Sequence, residues 1–199
     1  MNLDGIRDII VNFVQRDWES EQFTSELHFA QMKYFDIMLS AGKDLQQFIV
    51  KMGEGNPPMM VSSGWANLPT DYFRFISATV QTGSNYVRVR PCDVEQFDYL
   101  RQSPIEYPTS DYPILRIIDD RVQFLPADVL YVNFIYYRVP TAPVWGDTIS
   151  GGVSVYDAAT STELDWDEDD QIGIIQILLQ DLGVIVSQDQ IRQQQNERK

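Results

Sequence analysis

The chain has 199 residues, 44% of them hydrophobic, which allows one domain with a real core and at most an appendage. Its 15 Lys and Arg stand against 29 Asp and Glu, a net charge of −14, and a chain this acidic excludes a non-specific grip on nucleic acid through its overall field, leaving room only for a local basic patch. A single cysteine, Cys92, excludes an internal disulfide framework and fits a cytosolic place of assembly; the start Met1–Gly5 offers no secretory signal, and the longest apolar stretch, Ile172 to Val186, is broken by Gln176, Gln180 and Asp181 and is too short and polar to span a bilayer.

Ile6, Ile9, Ile10, Phe13 and Val14 recur at helical spacing and predict a first amphipathic helix, capped by Asn2 or Asp4. A second helix is predicted from Thr24 or Ser25, with Leu27, Ala30, Tyr34, Ile37 and Met38 on one stripe and Gly42 at its end. Leu45, Phe48, Ile49 and Met52 continue the helical spacing into a third, short helix. The run from Gly53 to Pro58 breaks the pattern. Beyond it, Thr70 to Arg74 can start a helix after Leu68-Pro69, and Tyr86 to Arg90 alternates as a half-exposed strand. Val94 to Arg101 reads as a short helix carrying Phe97 and Leu100. Ile114–Ile118 and Arg121–Leu125 form a hairpin about Asp119-Asp120, and Val129 to Val139 is a long strand.

Pro140 and Pro143 end that strand. Val144–Ile149 and Val153–Tyr156 flank the glycine tip Ser150-Gly151-Gly152 and predict a second hairpin, followed by a polar link from Ala158 to Thr162. A last strong helix starts in the acidic block Glu163–Asp170, capped by Asp165 or Asp167, with carboxylates at the positive end of its dipole and Gly183 at its end. Ser187 with Gln190 forms a capping-box pattern for a final polar helix over 189–199. The fold class is α+β. Residues 1–56 form an N-terminal helical segment, 57–143 a β-rich middle, 144–162 a hairpin arm, and 163–199 the C-terminal helices. The last of these pack on the first to complete one helical body in a single composite domain.

Little in this inventory does chemistry. The one histidine, His28, sits between Leu27 and Phe29 with no serine or cysteine motif beside it, and Cys92 follows Pro91 as a small packing residue. The acidic run Asp165–Asp170 lacks the turn glycine of a calcium loop, and Trp166 occupies a spacer, so capping and an acidic surface explain it better; no metal or cofactor is called for. Tyr86, Arg88 and Arg90 resemble a base-stacking strand, an idea the surrounding negative charge opposes. The interface candidates are Val144, Trp145, Ile149, Val153 and Tyr156 of the arm, with Trp166, Asp167, Glu168, Asp169 and Asp170 of the acidic helix start. Tryptophan is enriched at interface hot spots, and a hairpin can lend an edge to a neighbour. For Trp145, folding back onto its own subunit is the equal alternative. The acidic start and the over-apolar helix behind it read as parts made to be packed against neighbouring copies.

A series of segments then falls in a familiar order: Leu68-Pro69-x-Asp71-Tyr72, the Phe97 segment, the Pro104/Pro113 stretch, Tyr136-Tyr137-Arg138-Val139-Pro140, Pro143-Val144-Trp145-Gly146, Val155-Tyr156-Asp157, the Ser/Thr link, Glu163-Leu164-Asp165-Trp166, and Ile174 to Val184. In that order they resemble tail-neck proteins of crAss-like and related podophages, from about Trp65 onward, with the N-terminal helices matching in character only. The resemblance implies a non-enzymatic virion protein, a head-to-tail connector (adaptor or neck ring). Such a protein is expected to form a homo-oligomeric ring of twelve copies under the portal, assembled in the host cytoplasm. It would extend the DNA channel, let genomic DNA pass without specific binding, and offer a landing surface to the next tail ring or the tail tube. The alternatives are another ring lower in the tail, a tail-associated glycan-binding or glycan-cleaving protein, and an acidic DNA mimic that inhibits a host enzyme.

Overall fold

The computed structural model describes residues 1–15, 19–53, 55–82, 85–150 and 153–196, with the backbone alone at Ser150 and Val153. In chain order, α1 (Leu3–Val14) and α2 (Ser20–Ser40) precede a 3-10 turn (Gln46–Phe48) and strands β1 (Ile49–Lys51), β2 (Met59–Met60), β3 (Trp65–Asn67), β4 (Tyr72–Thr82), β5 (Asn85–Arg88) and β6 (Arg90–Pro91). Helix α3 (Val94–Gln102) follows, then β7 (Ile114–Ile118), β8 (Arg121–Leu125), β9 (Tyr131–Arg138), β10 (Asp147–Ser150), β11 (Val153–Tyr156), α4 (Glu168–Asp181) and α5 (Gln188–Asn196). This is the α+β class read from the sequence, with helices at both ends and strands between. The chain divides into two compact units: a helical unit of Met1–Gln47 with Pro140–Lys199, and a sheet unit of Phe48–Val139. The first boundary therefore falls before β1, not at residue 56, and the hairpin arm belongs with the helices.

In the helical unit, Asn2 caps α1 by accepting from the Gly5 amide at 2.9 Å, and Leu3, Ile6, Ile9 and Ile10 are buried on one stripe. Helix α2 begins earlier than expected and buries Phe23, Leu27, Ala30, Tyr34 and Phe35; Ile37, placed on that stripe by spacing alone, is exposed. Gly42 ends it at φ +71°, where a side chain would be strained. Helix α4 packs against α1, α2 and α5, which explains why Ile172, Ile174, Ile175, Leu178 and Leu179 are all buried although they span more than one face. The expected packing of the C-terminal helix on the N-terminal ones is therefore present, and the apolar faces also read as packing against neighbouring copies are covered by three helices of the same unit. The capping box of α5 is present, with the Ser187 amide donating to Gln190 Oε1 at 2.9 Å and the Gln190 amide to Ser187 Oγ at 3.3 Å, while Ile191 is fully buried. Residues 197–199 of the expected last helix lie outside the described residues.

The sheet unit is built from two sheets. One has the order β1-β9-β4-β5, with β2 also on β9; the other runs β3-β8-β7-β6. Val80, Val132 and Phe134 from the first and Leu115, Val122 and Phe124 from the second close one core. Helix α3 covers the far face of the second sheet through Phe97 and Leu100 on Ile114 and Leu125, so β7 and β8 are buried on both faces.

Two predicted helices are absent. At 45–52 a single 3-10 turn gives way to β1, because Ile49 and Val50 pair with Tyr137 and Tyr136 of β9. At 70–74 a lone turn, with the Tyr72 amide donating to Pro69 O at 3.0 Å, leads into the 11-residue β4, whose ladder with β9 overrides local helix propensity in a run of aromatic and β-branched residues. The strand read at Tyr86–Arg90 serves both sheets. Its chain leaves the first after Arg88, buries Val89, and joins the second at Arg90. The Asp119-Asp120 hairpin forms as expected, with Asp119 at φ +51°.

Candidate functional site

The arm is narrower than the sequence suggested. Only Asp147–Ser150 and Val153–Tyr156 pair as strands; Val144, half exposed, instead forms a separate bridge with Thr162. The base of the hairpin is clamped. Val144 and Thr162 exchange amide hydrogen bonds at 3.0 and 2.9 Å, the Gly146 amide donates to Ser161 Oγ at 2.9 Å, and the Asp157 amide donates to Gly146 O at 2.9 Å. Trp145 is buried within the helical unit, edge-on to Phe23 at 5.9 Å, 4.7 Å from the Tyr156 ring, and beneath the Arg7 guanidinium at 4.9 Å. Of the two options left open for Trp145, the structure takes the fold-back. Tyr156 is half-buried and its hydroxyl donates to Glu163; burial first, and that bond second, push its pKa up.

The tip is different in kind. Ile149 is 82% exposed and Val155 47%, and no third strand pairs with either edge of this two-stranded ladder among the described residues. The register puts Asp147 and Ile149 on one face with Ser154 and Tyr156, and Thr148 with Val155 on the other. The side chain of Val153 and the glycine tip 151–152 lie outside the described residues.

The acidic helix start works as an internal hub. Asp167 is the N-cap of α4, accepting from the Asp170 amide at 2.8 Å. Asp170 accepts from the Tyr34 hydroxyl at 2.6 Å and lies 4.0 Å from Lys43 Nζ; Asp169 pairs with Arg192 at 2.9 Å; Glu168 lies 3.5 Å from the amino group of Met1. Glu163 accepts from the Leu3 amide at 2.7 Å. Trp166, the other proposed anchor, is buried against Tyr34 at 5.3 Å and Phe35 at 6.2 Å. Carboxylates read as a docking surface therefore tie α1, α2 and α5 to the start of α4. Asp167, Glu168 and Asp169 are still exposed at their rims.

The sheet unit holds a feature the sequence reading missed. Helix α3 and the loop 103–113 bound an open groove with a cavity volume of about 640 Å³, lined by Arg88, Arg90, Tyr99, Ile105, Tyr107 and Tyr112. The crossing at Val89 aims Arg88 and Arg90 from two different sheets into it. A signal was available in the sequence: Tyr107 and Tyr112 with three prolines between Ser103 and Pro113, without helical or strand periodicity, mark a loop whose aromatics have no regular element to bury them.

His28 has a buried Nδ1 with no hydrogen-bond partner among the described residues, and burial lowers its pKa. Cys92 is half-buried and free. Among the described residues no group of three His, Cys, Asp or Glu side chains is placed to hold a metal ion, and no helix is long and apolar enough to cross a membrane. No protein-family model matches the chain, and no curated protein does.

Proposed function

We propose that this chain is a non-enzymatic structural subunit of a ring between the portal and the tail of a podophage particle, lining a channel for DNA. One observation carries the reading: a hairpin clamped at its base leaves Ile149 and Val155 exposed on its two faces, with two ladder edges that no strand among the described residues pairs. A two-stranded ladder is marginal by itself, so a neighbour that covers it gains both the apolar burial and the free edge. The resemblance of the segment order to that of neck proteins supports the placement, and a net charge of −14 suits a wall past which DNA moves without sticking.

The test is co-purification with a portal ring and electron microscopy of the product. A ring of this chain seated on the portal is expected, and replacing Ile149 by Asp should abolish it while leaving the melting temperature unchanged. Ring formation insensitive to that change would remove the hairpin from the account, and no ring at all would remove the reading. The tyrosine-lined groove favours a second reading, a glycan-binding tail protein. Retention of the monomeric chain on immobilised host polysaccharide, with no ring on the portal, would select it.

A further inference from the structure

The ring reading leaves the groove of the sheet unit without a role. Among the described residues fifteen large hydrophobic side chains are exposed, and four of them, Tyr99, Ile105, Tyr107 and Tyr112, line this groove. Ile105 is 92% exposed and Tyr112 80%. Clustered apolar exposure of this kind marks a docking surface, and tyrosine with arginine is the composition of interface hot spots. Arg88 and Arg90 share the lining with Glu106 and Asp111, yet no side-chain hydrogen bond or ion pair joins them to any group among the described residues. In a chain with almost twice as many acids as bases, two guanidinium groups without a local carboxylate partner are positioned for one that arrives from outside.

The hairpin supplies that chemistry. Its Asp147 and Ile149 lie two residues apart on one strand and so on one face, a carboxylate beside an 82%-exposed isoleucine. Resting on the ring reading, we infer that the groove between α3 and the 103–113 loop of one copy receives the Asp147–Tyr156 hairpin of the next copy. Ile149 enters among Tyr99, Tyr107 and Tyr112, and Asp147 meets Arg88 and Arg90. Hairpin and groove are different surfaces, so the contact is heterologous and repeats from copy to copy, as a ring requires. The carboxylate–arginine pairs fix register, and the buried isoleucine holds the contact.

Cysteine pairing tests it in the full-length chain with Cys92 replaced by Ser. One batch carries Ile149→Cys and another Thr109→Cys, an exposed groove position; a third carries Ser25→Cys on the exposed side of α2. All three sites are exposed, so folding is checked simply by circular dichroism. Under mild oxidation the first two batches should give a cross-linked pair of twice the 23.0 kDa mass, in several-fold excess over the first with the third. Adding Arg88→Glu and Arg90→Glu to the Thr109→Cys chain should cut the yield to the control level. A yield equal to the control from the start, or one unmoved by the charge reversal, overturns the inference. Rings that form on the portal without this cross-link overturn the contact and leave the ring reading standing; a chain that yields neither rings nor cross-links removes both.

Discussion

The ring of Tyr34 occupies the space a side chain on Gly173 would need: a Cβ there would lie 2.4 Å from Tyr34 Cε2. The tyrosine is not free to yield. Its hydroxyl donates to Asp170 at 2.6 Å, and the Trp166 indole packs edge-on against it at 5.3 Å. The absence of a side chain at Gly173 therefore lets α2 and α4 approach closely, and it permits the bond that joins α2 to the first turn of α4.

Gly173→Ala should destabilise the helical unit although alanine is the better helix former. The gain in propensity is about 1 kcal/mol, and overpacking against a pinned aromatic costs about 1–3 kcal/mol. Tyr34→Phe removes the hydrogen bond and should cost about 1 kcal/mol. The double variant should lose less than the sum, because a ring released from Asp170 can move aside for the new methyl. Urea unfolding of the three variants and the parent checks this; strict additivity would show that Tyr34 does not hold its position through Asp170.

In the sheet unit, Arg116 lies between the second sheet and α3. Nε donates to Gln123 Oε1 at 2.9 Å, Nη1 to Asp98 Oδ1 at 3.1 Å, and the guanidinium stacks 4.4 Å from the Phe97 ring centroid. A lysine ammonium has neither the fork nor the flat face for these three contacts at once. Arg116→Lys should cost about 1.5–3 kcal/mol, as loss of charged hydrogen bonds does in a mostly buried setting. The readout is the midpoint of chemical unfolding, with the far-ultraviolet spectrum unchanged in the absence of denaturant.

Hydrophobic period and punctuation made most of this fold legible. The Ile6–Ile10 stripe, the Asp119-Asp120 turn, the Ser187/Gln190 box and the end of α4 at Gly183 are local signals with local causes, and each is where the pattern put it. The misses share the opposite character. Ile49 and Val50 are strand residues because β9, almost ninety positions away, offers them a ladder, and Tyr72–Thr82 is extended for the same reason. No window over residues 45–52 contains that partner. The candidate site divides in the same way. The hairpin was readable from its flanking prolines and β-branched strands. The destination of Trp145, and the service of the acidic block to three helices, depend on contacts with Phe23, Arg7, Leu3 and Arg192 that spacing does not encode. The loop that bounds the groove left a signal in its tyrosines and prolines, but its basic wall was hidden because Arg88 and Arg90, neighbours in one apparent strand, belong to two sheets.

Gly146 should prove the hinge on which the hairpin's function depends. A Cβ there would meet Thr160 Oγ1 at 2.1 Å, Thr160 C at 2.5 Å and Ser161 N at 2.7 Å, two of them backbone atoms that no rotamer change can move. Gly146→Ala is expected to break the clamp, lower the helical unit's stability by about 1–3 kcal/mol, and expose the Asp147–Tyr156 segment to limited proteolysis. Ser161→Ala removes only the bond to the Gly146 amide and should give a smaller effect, about 1 kcal/mol, with the hairpin still protected. Equal cleavage of both variants would mean that the hydrogen bond, not the close approach, holds the hairpin.

Alkaline pH should loosen both units through particular tyrosines. Burial first, then donation to a carboxylate, raises the pKa of Tyr34 beside Asp170 and of Tyr136, whose hydroxyl donates to Asp71 at 2.8 Å; burial raises Tyr72, and burial with the Glu163 bond raises Tyr156. A pKa raised above its unfolded value near 10 means that the folded state holds its proton more tightly. The stability from these groups is therefore complete below about pH 10 and declines as pH rises beyond it, where the unfolded chain ionises first. Unfolding free energies measured from about pH 8 to 11 should hold level and then fall. Tyr34→Phe combined with Tyr136→Phe should start from a lower plateau and fall less steeply, since two of the linked protons are gone. A decline of the same slope in that variant would assign the alkaline loss to net charge repulsion instead.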